Sequence, residues 1–361
     1  MPTHLTEVAS IPTSGARAVE PFDLGDRHIL AVPQLAYDVP GTDANMNGGD
    51  SDTVTLLLER KGAGYVPWQT VPAPGGEDAE FFRIGDRAFL AIASIRRGSG
   101  PYQFTIDSQV FEWNGRTFES FQKFEGFAAK QWKHFEIDGQ HFLALAQGVT
   151  VPGHEDENRP SVIYRWDGSS FTHFQDIDSK WAYNWHAFAV DGHQFLAHAD
   201  HVQASVLYRW TGQRFQAYQN LAADHGRAFA HFERDGVTYL LVARLLGESQ
   251  VMRWDGERFV THQLLEQPGT REFAVVHDGD ALFVVCVNFI LGPQTSPTTA
   301  LNSQLYQWRE NRLEVVEEFA TTGGTDAAVV HDDQGILIAV SNALSPDARF
   351  AARTVLYRFT H

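Results

Sequence analysis

A Tyr-Arg-Trp-type segment that recurs seven times, an apolar hairpin that recurs seven times between its copies, and spacings of 44 to 54 residues between successive copies predict an all-β fold. That period with strand-like content indicates a seven-bladed β-propeller of four-stranded blades. The clearest copies of the segment are Gln109 to Phe118, Val162 to Phe171, Val206 to Phe215 and Gln250 to Phe259, carrying Trp-x-Gly turns at Trp113, Trp166, Trp210 and Trp254. Weaker copies run from Val54 to Tyr65, Gln304 to Leu313 and Val355 to Phe359.

The hairpins read Phe22 to Val32, Phe82 to Ile92, Phe135 to Leu145, Phe188 to His198, Phe232 to Val242, Val276 to Val285 and Val330 to Val340. Their Asp-Gly or Gly-Asp pairs supply the left-handed backbone of a tight turn, and the flanking aromatic and branched residues favour strands. Each unit thus holds four strands: one before the turn, the Phe-Leu-Ala run after it, the Tyr-Arg-Trp strand, and the Phe-containing strand after Trp-x-Gly. The units are expected at about 15–71, 75–124, 128–177, 181–221, 225–265, 269–319 and 323–361. The last lacks a fourth strand, and Leu5 to Ile11 resembles one. The N-terminal strand, about residues 4–11, is therefore expected to complete the last blade, closing the ring and removing its open edge, with 1–361 as a single domain.

Composition sets the outer bounds. With 361 residues, 43% hydrophobic and 12% aromatic, the chain can bury a large core, which excludes disorder. A formal charge of −17 argues against nucleic acid or an anionic membrane as partner. No apolar run approaches the roughly 18 residues of a membrane span, so none is expected. Met1 to Pro12 shows no basic, then apolar, leader pattern. The location expected is the cytoplasm, or the exterior if a leader has been removed. The single cysteine, Cys286, lies in the apolar run Phe283 to Val287 and reads as a buried thiol. Oligomeric state is not legible.

The unit Phe-x-Ile-Asp-Gly-x-x-Phe-Leu-x-x-Ala, followed by Ser-x-Ile-Tyr-Arg-Trp-x-Gly-x-x-Phe-x-x-x-Gln, resembles the EPTP repeat, also called the epitempin or EAR repeat. The family includes the propeller halves of the leucine-rich glioma-inactivated proteins. The resemblance runs from about residue 4 to 361 and is clearest around Trp166 and Trp210. It implies a propeller that acts as a binding module, with protein partners.

Where a ligand would sit follows from blade geometry. Loops between second and third strands are long near 33–52, 94–108, 147–161, 288–303 and 341–354, and short near 200–204 and 244–249. Long irregular loops on a rigid scaffold commonly carry function. The crossings from one blade to the next lie on the same face. The acid that the family carries at the start of each blade maps to Ala18, Asp78, Gln131, Asn184, Ala228, Glu272 and Asp326. Asp78, Asn184, Glu272 and Asp326 offer oxygens that either hold Ca²⁺ or Mg²⁺ at a channel mouth or bond the backbone of the neighbouring blade.

One crossing differs from the others: Lys180 to His186 holds Trp181, Tyr183, Trp185 and His186. With Lys130, Trp132, His225 and Arg227 it forms an aromatic and basic group suited to stacking a ring or binding an anion. Trp132 and Trp185 share one repeat position and are either inter-blade core or ligand platform. The His198-Ala-Asp-His201 run invites a metal or acid–base reading, but strand alternation sends His198 and Asp200 to one side and His201 to the other. No nucleophile elbow, phosphate-binding loop or zinc-protease motif is present in the sequence.

The function expected is recognition of a protein, glycan-like or small-molecule ligand through the long-loop face. The alternative is an enzyme, a lyase, cyclase or hydrolase, using Tyr183, His186, His198 or Lys130 for proton transfer, with or without a divalent cation. A third reading is a structural propeller docked through its Trp-x-Gly side.

Overall fold

The hairpin turns do what their Asp-Gly pairs require. Asp138 and Gly139 have φ of 51° and 75°, Asp191 and Gly192 of 49° and 75°, and Asp235 and Gly236 of 54° and 74°. Two successive left-handed residues match the twist of the flanking strands. At the other turn, Asp167 Oδ1 accepts from Ser169 N at 2.8 Å and Ser170 N at 2.9 Å, and Asp255 repeats this with Glu257 N and Arg258 N. The side chain there mimics a backbone acceptor.

A computed structural model describes residues 3–62 and 64–361. It contains seven four-stranded antiparallel sheets, the blades of a seven-bladed β-propeller. Six take four consecutive strands each: Glu20–Leu24 to Gly64–Pro72, Gly76–Ile84 to Phe118–Phe127, Gln131–Ile137 to Phe171–Ile177, Ala182–Val190 to Phe215–Ala222, Gly226–Arg234 to Phe259–Leu265 and Thr270–Asp278 to Arg312–Thr322. The seventh has Gly324–Asp332, Gly335–Asn342 and Ala351–Phe359, and its fourth strand is Leu5–Ser14. Leu5 lies opposite Phe359 and Ser14 opposite Ala351, so the N-terminal strand closes the last blade and runs three residues beyond the expected Ile11.

The chain divides into two compact units: Met1–Glu77, Arg97–Tyr102 and Pro268–His361 form one, and Asp78–Arg96 and Gln103–Gln267 form the other. In the second unit the reason for the repeat pattern is visible. Second strands are buried on both faces; Phe142, Leu143, Ala144, Leu145 and Ala146 are all inaccessible. That accounts for a continuous apolar run rather than alternation. In blades three, four and five the repeat Trp meets the second-strand Phe of the blade before it: Trp166 to Phe89 at 5.8 Å, Trp210 to Phe142 at 5.5 Å and Trp254 to Phe195 at 5.6 Å between ring centroids. In the first unit, Arg358 of the third strand in blade seven makes a bidentate pair with Asp332 at 2.7 and 2.8 Å.

The loops between second and third strands span 33–53, 95–104, 147–160, 289–299 and 343–350, against only 201–204 and 245–248 in blades four and five. Among the described residues, no helix is long and apolar enough to cross a membrane.

Candidate ligand-binding site

In an antiparallel blade the start of the first strand and the end of the second meet. Ala182 pairs with Asp200, and Gly226 with Arg244. As at the other blade crossings, the backbone after Asp200 and Arg244 links neighbouring blades directly. His201 N donates to Trp181 O at 2.9 Å, His225 N to His201 O at 2.8 Å, and Leu245 N to His225 O at 3.0 Å. Only Gly fits at 226, where a Cβ would collide with Ser205 Oγ and lie 3.1 Å from Asp200 O.

Asp200 fixes the start of this run. It is fully buried; Oδ2 accepts from Lys180 N at 2.7 Å and Trp181 N at 3.1 Å, while Oδ1 accepts from Val202 N at 2.9 Å and Gln203 N at 3.1 Å. Four charge-assisted bonds to backbone hold the crossing and the short loop in one geometry.

Side chains from three blades then gather around His201. Its Nδ1 lies 2.8 Å from Arg227 Nη1. The Arg227 guanidinium stands over the Tyr183 ring, 3.8 Å from its centroid, and Lys130 Nζ is 5.4 Å from the same centroid. Trp181 meets His201 edge-on at 5.0 Å, and His225 does so at 4.9 Å. Asp224 Oδ1 holds His225 Nδ1 at 2.8 Å and Arg244 Nη2 at 2.7 Å. Burial, then the neighbouring Arg227, pushes the His201 imidazole down to about 3. The ring is therefore neutral near pH 7, and since guanidinium only donates, Nδ1 accepts and Nε2 carries the proton.

Of the residues expected at a site, Lys130, Trp181, Tyr183, His225 and Arg227 come together here. Trp132 and Trp185 are 0% and 2% exposed and sit in two inter-blade cores, Trp132 with Phe124 and Phe89 and Trp185 with Phe135 and Phe142. Both therefore follow the core alternative for their repeat position. His186 bonds His231 Nδ1 at 2.8 Å between blades four and five, and burial lowers its basicity. His198 bonds Ser161 Oγ at 3.1 Å, packs 4.2 Å from the Trp185 ring and is pushed down to about 4 by burial. Neither ring shares the His201 group.

The acids at the blade starts show the backbone-bonding pattern. Asp78 Oδ2 accepts from Trp132 N at 2.9 Å, and Asp326 Oδ2 accepts from Val19 N at 2.8 Å. Gln131 does the same for Trp185 N at 2.5 Å. Glu272 Oε1 accepts from Phe273 N at 3.0 Å, and Asn184 lies in the strand Ala182–Val190. Among the described residues, no three His, Cys, Asp or Glu side chains stand close enough to hold a metal ion. Cys286 is buried, bonded to Thr270 and Asn288, and its thiol is pushed up to about 12 by burial.

Sequence reasoning missed His201 as the centre, together with Asp224 and Arg244. Strand parity had already separated His201 from His198, and that was the usable signal. Asp224 and Arg244 carry none, because they meet only through the fold.

Comparison with known families matches the EPTP domain at residues 64–114, 117–167, 170–211 and 214–255, just over half of the chain. The human thrombospondin-type laminin G domain and EAR repeat-containing protein is 30% identical over 172 residues, 46% of this chain and 24% of that protein. The mouse protein of the same name is 29% identical over 164 residues, 44% of this chain and 24% of its own length. The chain thus spans about a quarter of these relatives. Among solved structures, the SapL1 lectin in complex with alpha methyl fucoside is similar in fold, with TM-score 0.50, 10% identity, and coverage of 85% of this chain and 97% of that one. The four matched repeats and the seven blades they organise make this chain a member of the EPTP, or EAR-repeat, family.

Proposed function

We propose that the chain is a recognition module that binds a glycan-like or protein ligand on the face carrying the blade crossings and the loops between second and third strands. The observation that carries this reading is the group around His201. Aromatic and cationic side chains of three blades are held there by backbone bonds and by Asp200, beside the two shortest loops. Rigid presentation of aromatic and arginine side chains is what recognition surfaces use, since little ordering remains to be lost on binding. The EAR-repeat relatives carry this repeat beside a laminin G domain, as their name states, and supply the class. The lectin of similar fold was solved in complex with alpha methyl fucoside, which makes a fucoside a first probe here. A Ca²⁺ or Mg²⁺ ion at the blade-start oxygens remains a separate proposal, read by thermal shift with each cation against chelator.

The test is a binding screen of the purified chain against a glycan panel and a panel of extracellular protein domains, with wild type beside Tyr183→Ala and His201→Ala. Binding that drops at least tenfold in both variants, with unchanged melting temperature, supports the reading. No ligand in either panel, or binding indifferent to both variants, sinks it.

A further inference from the structure

Blades seven and one lie in the same compact unit, and their boundary is built differently from others. Opposite Val110, Ile163 and Leu207 of the third strands stand Gln122, Gln175 and Gln219 of the fourth. Each of these amides bonds both the N–H and the C=O of one residue in the next blade: Phe171, Phe215 and Phe259. Glu317, opposite Leu305, holds the boundary of blades six and seven by accepting from His4 N at 2.6 Å and Leu5 N at 3.1 Å. In blade seven the same position, opposite Leu356, is Ala9, which has no polar group to offer the backbone of Tyr65.

Two further replacements thin the same place. Arg60 stands where blades three, four and five carry the repeat Trp, and it reaches blade seven with a bond of 3.5 Å from Nη1 to His331 O. Leu337, opposite Arg358, stands where Phe142 lies opposite Arg165. Among the described residues, the buried core of this boundary is therefore aliphatic apart from Tyr65, whereas that of blades three and four holds Phe135, Phe142, Trp185 and Phe215. The Tyr65 hydroxyl is buried with no hydrogen-bond partner among the described residues, a cost that contact with water removes.

The first strands of the two blades are fastened. Asp326 Oδ2 accepts from Val19 N at 2.8 Å, and Thr325 Oγ1 donates to Ala16 O at 2.9 Å. The boundary is thus tied at one end, while at its third and fourth strands it has neither the amide bonds nor the paired rings found elsewhere. Local opening begins where buried apolar contact and cross-boundary bonding are least.

We infer that blades seven and one part at their third and fourth strands in a local opening hinged at their first strands. The opening is a conformational device of this boundary, and the amide-bonded boundaries lack it.

Hydrogen exchange of the full chain, read peptide by peptide, tests this. In the wild type, Leu5–Ser14 and Gly64–Pro72 exchange at least tenfold faster than the corresponding fourth strands Phe171–Ile177 and Phe215–Ala222. Ala9→Gln restores an amide at the bonding position and slows both strands about tenfold, leaving the other two unchanged. A disulfide gives a second lock that does not depend on how a glutamine seats. A Cβ at Gly64 lies 3.7 Å from the Ala9 Cβ, inside the span of about 3.5–4.5 Å that a disulfide bridges. Ala9→Cys with Gly64→Cys, once oxidised, exchanges at least tenfold more slowly in Gly64–Pro72 than after dithiothreitol; Cys286 is buried and does not compete. Asp326→Ala loosens the hinge and spreads fast exchange to Glu20–Leu24. Equal exchange at all four fourth strands, fast exchange confined to the terminal Leu5–Ser14, or an oxidised bridge that leaves Gly64–Pro72 unchanged overturns the opening. Unchanged exchange of Glu20–Leu24 in Asp326→Ala overturns the hinge.

Discussion

The side-chain amide of Gln175 grips the backbone of Phe215 in the next blade with both of its ends: Oε1 accepts from Phe215 N at 2.9 Å and Nε2 donates to Phe215 O at 2.8 Å. Gln122 holds Phe171 and Gln219 holds Phe259 in the same way, which explains the Gln that ends the repeat. An amide is the one neutral side chain that presents a donor and an acceptor at the spacing of a peptide unit. Each Gln therefore extends hydrogen bonding across a blade boundary that the sheets themselves leave open.

Replacing Gln175 by Leu leaves one N–H and one C=O of Phe215 without their partners at a partly buried junction. The expected loss is about 2 kcal/mol of unfolding free energy. Gln175→Glu keeps an acceptor, loses the donor and falls between wild type and Leu. Urea denaturation of the three proteins measures this; a Leu variant as stable as wild type would show the grip to be dispensable.

Acid should weaken the fold through buried imidazoles before carboxylates titrate. Burial, then His141 and Lys133, holds His134 down to about 3, against about 6.5 in an unfolded chain. Below pH 6.5 the unfolded state takes up a proton that the folded state refuses. Stability is thus full above that pH and falls by about 1.4 kcal/mol per unit for this group as pH drops toward 3. His198, pushed down to about 4 by burial, acts in the same direction over a narrower window. His134→Phe, which can keep the stack on Phe82, makes the decline between pH 6.5 and 4.5 shallower in denaturant titrations.

Asp200→Asn exchanges one acceptor oxygen for an N–H₂ group facing backbone donors. Either the Lys180 and Trp181 amides or the Val202 and Gln203 amides lose their partner, at a cost of about 2 kcal/mol. Hydrogen exchange should quicken at the affected pair, and ligand binding at the His201 group should weaken.

Asp326→Ala removes the acceptor for Val19 N, and a loss of about 1–2 kcal/mol follows, the same in chelator as in millimolar calcium. A cation bound at this position would instead add a calcium-dependent increment to the wild type that the variant lacks. Differential scanning fluorimetry of both proteins in CaCl₂, MgCl₂ and EDTA separates the two.

Much of the fold is legible in particular residues. The Asp138–Gly139 and Asp191–Gly192 pairs define hairpins because few other dipeptides accept two left-handed positions, and the shared spacing of Trp166, Trp210 and Trp254 reflects one packing rule applied to each second-strand Phe. The repeat also predicts that residues 4–11 complete the last blade, since an unpaired strand edge is what the last unit would otherwise expose, and Leu5–Ser14 does join Ala351–Phe359. The site is only partly legible. Trp132 and Tyr183 look alike as aromatic residues at blade starts, yet one is sealed into a core while the other lies beneath Arg227.

Period and turn chemistry, read from the chain alone, determine the number of blades and their hairpins, because each depends on neighbours within about fifty residues; the closing strand follows from the incomplete last unit, whose missing strand the N-terminal segment supplies from the other end of the chain. Which side chains gather at His201 is decided by tertiary structure. Lys130, Tyr183 and Arg227 belong to three successive blades, and their meeting depends on two short loops, a glycine at 226 and the buried Asp200 that sets the crossing. Hydrophobic patterning specifies which faces are buried, but it carries no term for the direction in which polar groups from different blades converge.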